Sequence, residues 1–331
     1  MRGLHPRAAL VAAMLALAPP IVLAGCRSQG STPSPAPVAS RSPSSSLGFR
    51  QSASPAGSAS FASRPYATHL PAGWDRAHPA PLVVALHGYG APDGMDAARS
   101  FGLDALADEE GFVLVAPDGT PDSRGRRFWN ATNACCDFDG TAPDDVGYVR
   151  WLLDDVASKM PIDAGRVYVV GHSNGGFFAH RLACDLASRV AAAVSIAGAQ
   201  WNDVARCAPS EPVSVLQIQG DADPIIRYGG GRVFDLPGRD YPGAVATVKD
   251  WAVLDGCDAA ASPPGGKLDF DERVPGDETT RVSYPGCRAG ASVELWTVAG
   301  GDHLPHPTHA GLLAAWAWMQ AHAKGQAPAP R

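Results

Sequence analysis

The sequence predicts an α/β fold, in which a mainly parallel central sheet is covered by helices on both faces. From about residue 64 onward, short apolar runs rich in β-branched residues alternate with longer segments of helical periodicity. Strands that alternate with helices in this way form parallel sheets that are buried on both faces. The chain has 331 residues, 45% of them hydrophobic, and this is long enough for one large domain of that kind.

The apolar runs predict six strands, over residues 82–86, 112–116, 166–170, 190–197, 213–219 and 292–298. Helical spacing of apolar residues predicts helices over 96–110, 144–160, 174–187 and 308–323. Residues 255–291 do not fit the alternation, and we expect them to form an insertion or cap held by Cys257 and Cys287. Ligands of open α/β sheets bind beyond the carboxyl ends of the strands, so polar residues that directly follow a strand are the candidate site residues.

The first 60 residues are predicted to lie outside the folded domain. Residues 1–25 have a positively charged start, an apolar centre and small residues at the end, as signal peptides do. Their last residues and the next one read Leu-Ala-Gly-Cys, which resembles the bacterial lipobox and predicts acylation of Cys26. Residues 26–60 are dominated by Ser, Pro, Ala and Gly and are expected to form a disordered tether. We therefore expect an exported protein, lipid-anchored or secreted, with residues 61–325 as its catalytic domain.

Charge and cysteine content narrow the possible partners. The net charge is −6 and no basic run is present, which argues against a nucleic-acid partner. No obligate protein partner is indicated, and membrane contact is expected only through Cys26. The other six cysteines are an even number, which in an exported chain predicts disulfides. We expect Cys257 to pair with Cys287, and the sequence leaves open the pairing of Cys135, Cys136, Cys184 and Cys207.

The strongest local motif follows the third predicted strand and precedes a predicted helix. Residues 171–176 read Gly-His-Ser-Asn-Gly-Gly and match the Gly-x-Ser-x-Gly nucleophile elbow. In that turn the serine has a strained backbone, and side chains two positions away on either side would collide, so both places require glycine. The motif predicts Ser173 as a nucleophile.

A serine hydroxyl needs a base to remove its proton. His303 follows the last predicted strand, and an imidazole accepts and returns a proton near neutral pH. His306 and His309 are rivals in the same segment, but prolines between them prevent a regular helix and a shared metal-binding face. The sequence therefore predicts His303 as the base and no metal or cofactor.

The third member of a triad orients the imidazole and stabilises its charged form. The loop after the fifth predicted strand contains Asp221 and Asp223, and their positions alone hardly separate them. We favour Asp223 because it lies deeper in the loop, and Asp221 is then a turn or capping residue. The order Ser, Asp, His along the chain is that of the α/β-hydrolases.

An acyl-transfer site also needs backbone N–H groups for the oxyanion. We expect one from Asn174, the residue after the nucleophile, and one from the loop after the first predicted strand. In that loop Tyr89 is the preferred donor and Gly88 the alternative, whereas His87 is expected to fix the loop. The regions of Trp129 and Trp201 are predicted either to line a substrate cleft or to pack in the core.

Taken together, these segments resemble the polyhydroxybutyrate depolymerase-like esterase family of the α/β-hydrolase superfamily, which includes feruloyl and acetyl xylan esterases. The resemblance covers roughly residues 64–320, and its marks lie at 86–90, 128–130, 135–136, 144–148, 171–176, 181–184, 220–228, 251, 256–257 and 300–303. It implies Asp223 as the acid and His303 as the base. Two departures are Asp221, where family members commonly have Thr, and Leu304-Pro305, where Trp-Pro is frequent.

The sequence thus predicts an exported serine esterase that works through an acyl-enzyme and needs no cofactor. Its expected substrate is a polyhydroxybutyrate-like polyester or its oligomers. The alternative substrates are feruloyl or acetyl groups on plant polysaccharide. A hypothesis of another class is a surface-anchored binding protein on an inactive hydrolase scaffold, since fold alone does not fix function.

Overall fold

An eight-stranded sheet forms the centre of the protein in the computed structural model, which describes residues 61–325. The predicted signal peptide, Cys26 and the predicted tether lie outside the described residues. In spatial order the strands are β1 (Tyr66–His69), β3 (Val113–Pro117), β2 (Ala80–Leu86), β6 (Ile162–His172), β7 (Ala192–Ile196), β8 (Ser214–Gly220), β12 (Val293–Val298) and β11 (Thr279–Tyr284). The six inner strands are parallel, and β1 and β11 are antiparallel edge strands.

Helices cover both faces of this sheet, as the sequence predicts. They are α1 (Gly94–Ser100), α2 (Leu103–Glu110), α3 (Asp145–Lys159), α4 (Asn174–Asp185), α5 (Ala244–Leu254) and α6 (His309–Gln320). Two short ribbons, β4 (Thr120–Pro121) with β5 (Arg127–Phe128) and β9 (Gly230–Arg232) with β10 (Asp240–Pro242), lie outside the main sheet. Within residues 61–325, no helix combines the length and the apolar character that crossing a bilayer requires.

The hydrophobic core consists of two layers, one on each face of the sheet. Successive strand residues point to opposite faces, so Val83 packs in one layer and its neighbour Val84 in the other. The layer that contains Val84 packs against α3, α4 and α5, and the layer that contains Val83 packs against α1, α2 and α6. This double burial explains why the inner strands appear in the sequence as continuous apolar runs.

The structure corrects two expectations about the elements and adds two elements that were not predicted. The helix predicted over 96–110 is two helices, because the chain turns at Gly102 with a left-handed φ of 71°. The segment 255–291 is not only an insertion or cap, since it contributes β11 to the edge of the main sheet. The antiparallel strand β1 and the helix α5 carry no prediction from the sequence.

Candidate active site

The nucleophile turn lies between β6 and α4, at the carboxyl end of a central strand. Ser173 has φ 55° and ψ −119°, a backbone conformation that non-glycine residues rarely adopt. A Cβ atom on Gly171 would lie 2.0 Å from the carbonyl oxygen of Gly175, and one on Gly175 would lie 2.0 Å from that of Leu86. Both positions therefore require glycine, and the packing that excludes a side chain also holds the serine in its strained turn.

The structure brings Ser173, His303 and Asp223 together from three strand ends. The Nε2 atom of His303 lies 3.0 Å from the Ser173 Oγ, and its Nδ1 lies 2.8 Å from an Asp223 carboxylate oxygen. The Asp223 side chain is completely buried, whereas 14% of the His303 side chain is exposed. With Nδ1 donating to the carboxylate, the free lone pair of Nε2 faces the serine hydroxyl, which is the arrangement needed to deprotonate it.

Asp221 and Asp223 lie in the loop after β8, which we call the acid loop, and they have different contacts. One carboxylate oxygen of Asp223 accepts hydrogen bonds from the backbone N–H groups of Ile225 and Ile226, at 2.8 and 2.9 Å. Asp221 instead accepts a hydrogen bond from the backbone N–H of Gly300 at 2.6 Å. This contact ties the acid loop to the loop after β12 that contains His303, which we call the base loop. Asp221 thus has no contact with His303, and its contact to Gly300 is compatible with a structural role.

A buried chain of hydrogen bonds ends at the Asp223 carboxylate. The Trp251 indole N–H donates to His180 Nδ1 at 3.0 Å, and His180 Nε2–H donates to the Gln217 side-chain oxygen at 2.8 Å. The Gln217 amide donates to Gln219 at 3.1 Å, and the Gln219 amide donates to Asp223 at 3.0 Å. Burial lowers the pKa of His180 to about 4, so the ring is neutral and every donor in the chain points towards Asp223. Sequence reasoning missed His180, Gln217 and Gln219, which lie in ordinary helix and strand positions.

The other histidines near the site are held by different partners. His172 donates from Nε2 to the backbone carbonyl of His303 at 2.8 Å and so helps to fix the base loop. Burial, together with repulsion from His303, lowers the pKa of His172 to about 4, which keeps this ring neutral. The backbone N–H of His306 donates to Asp271, and the exposed His309 side chain lies 3.4 Å from Glu109. Neither rival therefore occupies the position of the base.

The loop after β2 faces the nucleophile turn. Within residues 61–325, the backbone N–H groups of Gly88 and Tyr89 have no acceptor, so both are available to an oxyanion. His87 holds this loop, because its Nδ1–H donates to the Gly88 carbonyl at 2.7 Å and its Nε2 accepts from the Gly119 N–H at 2.8 Å. Burial lowers the pKa of His87, which favours the neutral form that both contacts need.

Asn174 has two separable roles at the start of α4. Its backbone N–H is in the first helical turn, where no intrahelical acceptor exists. Its buried side chain accepts from the Trp129 N–H at 2.7 Å and donates to the Trp129 carbonyl at 3.0 Å. The side chain therefore fixes the segment around Trp129, while the backbone remains free to face the oxyanion.

A cavity of about 560 Å³ contains Ser173 and His303 on its wall. We call it the catalytic cavity. Its other lining groups are mostly apolar and come from β2, α1 and the loops beside them, including Leu86, Ala91, Pro92, Ala97, Phe101 and Leu304. Such a wall suits the hydrocarbon part of an ester, and the polar groups are concentrated where the ester carbonyl would react.

The expectation that Trp129 and Trp201 line the catalytic cleft is wrong. Trp129 is fully buried, donates from its indole to the His87 carbonyl at 3.1 Å, and stacks on Phe178 with ring centroids 5.1 Å apart. Trp201 is nearly buried and lines a separate cavity. The core-packing alternative thus describes Trp129, because its large ring fills the layer beneath the nucleophile helix.

Three disulfides are present among the described residues. Cys257 pairs with Cys287, the pair expected from the sequence, and it joins the end of α5 to the loop after β11. The pairs that the sequence left open are Cys184 with Cys207 and the neighbours Cys135 with Cys136. All three lie within the region that is predicted to be exported.

Comparisons with known proteins agree with this architecture. The chain is 28% identical to feruloyl esterase B of Piromyces equi over 71% of its own length, but covers only 41% of that relative. It is 26% identical to feruloyl esterase D of Neurospora crassa over 92% of both chains. The solved structure of an acetyl xylan esterase from Aspergillus awamori has the same fold, with a TM-score of 0.55 at 16% identity, covering 77% of this chain and 93% of that one.

The family described as esterase PHB depolymerase matches residues 64–263, which is more than half of the chain. The match begins just before β1 and includes the nucleophile turn and the acid loop. This chain belongs to the esterase PHB depolymerase family and has the α/β-hydrolase fold.

Proposed function

We propose that the protein hydrolyses carboxylic esters through an acyl-enzyme formed on Ser173. The observation that carries the proposal is the imidazole of His303, which lies within hydrogen-bond distance of both Ser173 and Asp223. The Ser173 oxygen attacks the ester carbonyl while His303 Nε2 takes its proton, and the buried Asp223 carboxylate stabilises the resulting imidazolium. The N–H groups of Asn174 and Tyr89 hold the oxyanion of the tetrahedral intermediate.

Collapse of that intermediate releases the alcohol, which takes the proton from His303 Nε2 and leaves the acyl group on Ser173. A water molecule then attacks the acyl carbon while His303 Nε2 takes its proton, the bond to Ser173 Oγ breaks, and His303 returns the proton to Ser173 as the carboxylic acid leaves. Apart from the ester and the water, these steps use only groups of the chain itself. The same residues serve as base and acid in both halves of the reaction, as microscopic reversibility requires.

The substrate that we propose is an aliphatic polyester of the polyhydroxybutyrate type or its oligomers. The family match and the apolar catalytic cavity support this choice. The second candidate is the acyl decoration of plant polysaccharide, which is supported by the names of the feruloyl esterases to which the chain is similar.

The test is the clearing of an amorphous polyhydroxybutyrate suspension, with p-nitrophenyl acetate turnover measured on the same sample. We expect both activities, and we expect Ser173→Ala to abolish both. Turnover of the small ester without clearing would favour the polysaccharide-borne esters, for which feruloylated and acetylated xylan are the next substrates. The absence of any turnover that depends on Ser173 would contradict the esterase proposal.

We also propose that the chain is exported and acylated on Cys26. The lipobox-like residues before Cys26 support this proposal, as do three disulfides, which persist mainly in oxidising compartments. Metabolic labelling with a radioactive fatty acid is expected to mark the full chain but not Cys26→Ala. Equal labelling of both chains, or of neither, would contradict the anchor.

A further inference from the structure

A second cavity, of about 350 Å³, shares no lining residue with the catalytic cavity. We call it the arginine cavity, because three guanidinium groups line it. Its charged and aromatic lining residues are Asp137, Arg181, Asp185, Trp201, Arg206 and Arg239. Most of the remaining lining is also polar, which distinguishes this cavity from the apolar one around Ser173.

Only one of the three guanidiniums has a carboxylate partner. Arg181 lies 3.2 Å from Asp185 and also donates to two backbone carbonyls. Arg239 donates only to backbone carbonyls, at 2.8 and 3.1 Å, and these carry no net charge. The Arg206 side chain is exposed and has no partner within residues 61–325. Arg206 and Arg239 therefore have no carboxylate partner in the described part of the chain.

The remaining carboxylate of the cavity, Asp137, makes no ion pair within residues 61–325, and three guanidiniums against two carboxylates leave one net positive charge. Both oxygens of Asp137 accept hydrogen bonds from its own loop, from the N–H and hydroxyl of Thr141 and the N–H of Ala142. A local excess of positive charge in a chain of net charge −6 attracts anions. Guanidinium groups bind carboxylates in a planar, bidentate geometry, which gives both affinity and orientation.

Two of the three disulfides stiffen the walls of this cavity. Asp137 directly follows the Cys135–Cys136 pair, Asp185 directly follows Cys184, and Arg206 directly precedes Cys207. A crosslinked wall loses little conformational entropy when a ligand binds, so rigid walls favour affinity. Four of the six disulfide-bonded cysteines among the described residues thus lie beside or within two residues of a lining residue of this cavity.

The cavity also borders the segment that braces the nucleophile turn. Asn130 lines it, and the preceding residue, Trp129, is held through its backbone by the Asn174 side chain. A ligand bound in the cavity therefore lies next to a chain segment that contacts the residue after Ser173.

We propose that the arginine cavity binds a carboxylate, held by Arg206 and Arg239, with the Trp201 indole as an apolar floor for the attached ring or carbon chain. This carboxylate belongs either to a uronic acid unit of an acylated polysaccharide or to a small hydroxy acid released by ester hydrolysis. The two sources named rest on the proposed esterase function, whereas binding of a carboxylate in the cavity needs no turnover and is measured separately from it.

The experiment uses isothermal titration calorimetry on the full chain that carries Ser173→Ala, so that no ester chemistry interferes. Sodium D-glucuronate is the first probe, and D-glucose is its neutral match at the same ionic strength. We expect glucuronate to bind and glucose not to bind. Addition of Arg206→Gln or Arg239→Gln is expected to raise the Kd of glucuronate at least tenfold. Arg206 is exposed and unpartnered, so its replacement leaves the fold intact.

Arg150→Gln is the matched control, because Arg150 is also exposed and without a partner in the described part of the chain but does not line the cavity. The Kd of glucuronate for the Arg150→Gln variant is expected to stay within twofold of that for the chain with Arg150. Sodium 3-hydroxybutyrate is the second probe: competition with glucuronate supports the small-acid source, and binding of glucuronate alone supports the uronate source. Absence of binding by both probes, or an equal loss in Arg150→Gln, would overturn the proposal.

Discussion

The catalytic cavity and the arginine cavity are positioned by different parts of the structure. The catalytic groups follow the ends of parallel strands, so the register of the sheet places Ser173, Asp223 and His303 together. The arginine cavity is built from loops and the C-terminal half of α4, where disulfides crosslink the backbone and contacts to backbone carbonyls hold the Arg239 side chain. The catalytic cavity therefore depends on the core of the fold, whereas the arginine cavity depends on local crosslinks.

The largest expected effect concerns the two aspartates of the acid loop. Asp223→Asn removes the charge that stabilises the His303 imidazolium and reverses the preferred tautomer, so kcat is expected to fall about 10⁴-fold. Asp221→Asn keeps an oxygen for the Gly300 N–H and is expected to lower kcat less than about tenfold. Turnover of p-nitrophenyl acetate by both variants is the measurement. Equal losses would show that the acid has been assigned to the wrong aspartate.

The second prediction tests how far the nucleophile turn depends on the core. Gly175→Ala places a methyl group against the backbone of Leu86. Leu86 cannot move without shifting the loop after β2 that contains Gly88 and Tyr89. We expect the free energy of unfolding to fall by about 3 kcal/mol, with a further loss of kcat.

Gly229→Ala is the matched control for this change. A Cβ atom there meets no atom within 4 Å. The free energy of unfolding is therefore expected to change by no more than about 0.5 kcal/mol. Urea denaturation of both variants measures the difference, and a stable Gly175→Ala would contradict the close approach of the two backbones.

The third prediction separates the two cavities through the Cys184–Cys207 disulfide. Replacing both cysteines by alanine frees a connection of 23 residues in the unfolded chain and is expected to cost about 3 kcal/mol. The Kd of glucuronate is expected to rise, because Asp185 and Arg206 lose their fixed positions. Calorimetry for the Kd and thermal unfolding for stability are the two measurements. A stable double variant with an unchanged Kd would contradict the crosslinked wall.

The smallest predicted effect is a pH dependence of stability that arises from His180. Its pKa is about 4 in the folded protein, where burial disfavours the charged ring, and about 6.5 in the unfolded chain. Below pH 6.5 the unfolded chain therefore gains a proton that the folded protein does not. Because of this proton, the free energy of unfolding falls by about 1 kcal/mol between pH 7.5 and 5.5.

His180→Gln is the variant that isolates this effect, since glutamine keeps a donor and an acceptor but does not titrate. Urea unfolding at several pH values is expected to show a weaker pH dependence for the variant than for the unchanged chain. His172 also has a lowered pKa and remains in both proteins, so its contribution cancels in the comparison. Identical pH dependences would contradict a neutral, buried His180.

The strand-end residues could be singled out from the sequence because each carries its own local signal, and the structure brings them within hydrogen-bond distance. Ser173 lies between glycines that the turn requires, and His303 and Asp223 follow apolar runs that are recognisable as strands. The choice between Asp221 and Asp223 rested on depth in the loop, and only the three-dimensional contacts separate their roles. The sequence left open whether Trp129 faces a cleft or the core, because an aromatic residue in a loop has the same sequence signal in both cases.

Other features depend on contacts between distant segments, and no local pattern indicates them. The hydrogen-bond chain from His180 to Gln219 joins α4 to β8, and its members resemble ordinary polar residues of a helix and a strand. The arginine cavity unites residues from four separate segments of the chain, two of them crosslinked. The break between α1 and α2 arises at Gly102, a residue that a helix tolerates at a modest energetic cost.

The most direct test of the central claim is covalent labelling of the folded protein with a fluorophosphonate, followed by peptide mass spectrometry. We expect a single adduct on Ser173. In the described part of the chain, only this hydroxyl lies within hydrogen-bond distance of His303 Nε2, at 3.0 Å. The adduct is expected to disappear in Ser173→Ala and to form much more slowly in Asp223→Asn. A folded protein that gains no adduct, or that is labelled elsewhere, would contradict the assignment of Ser173 as an activated nucleophile.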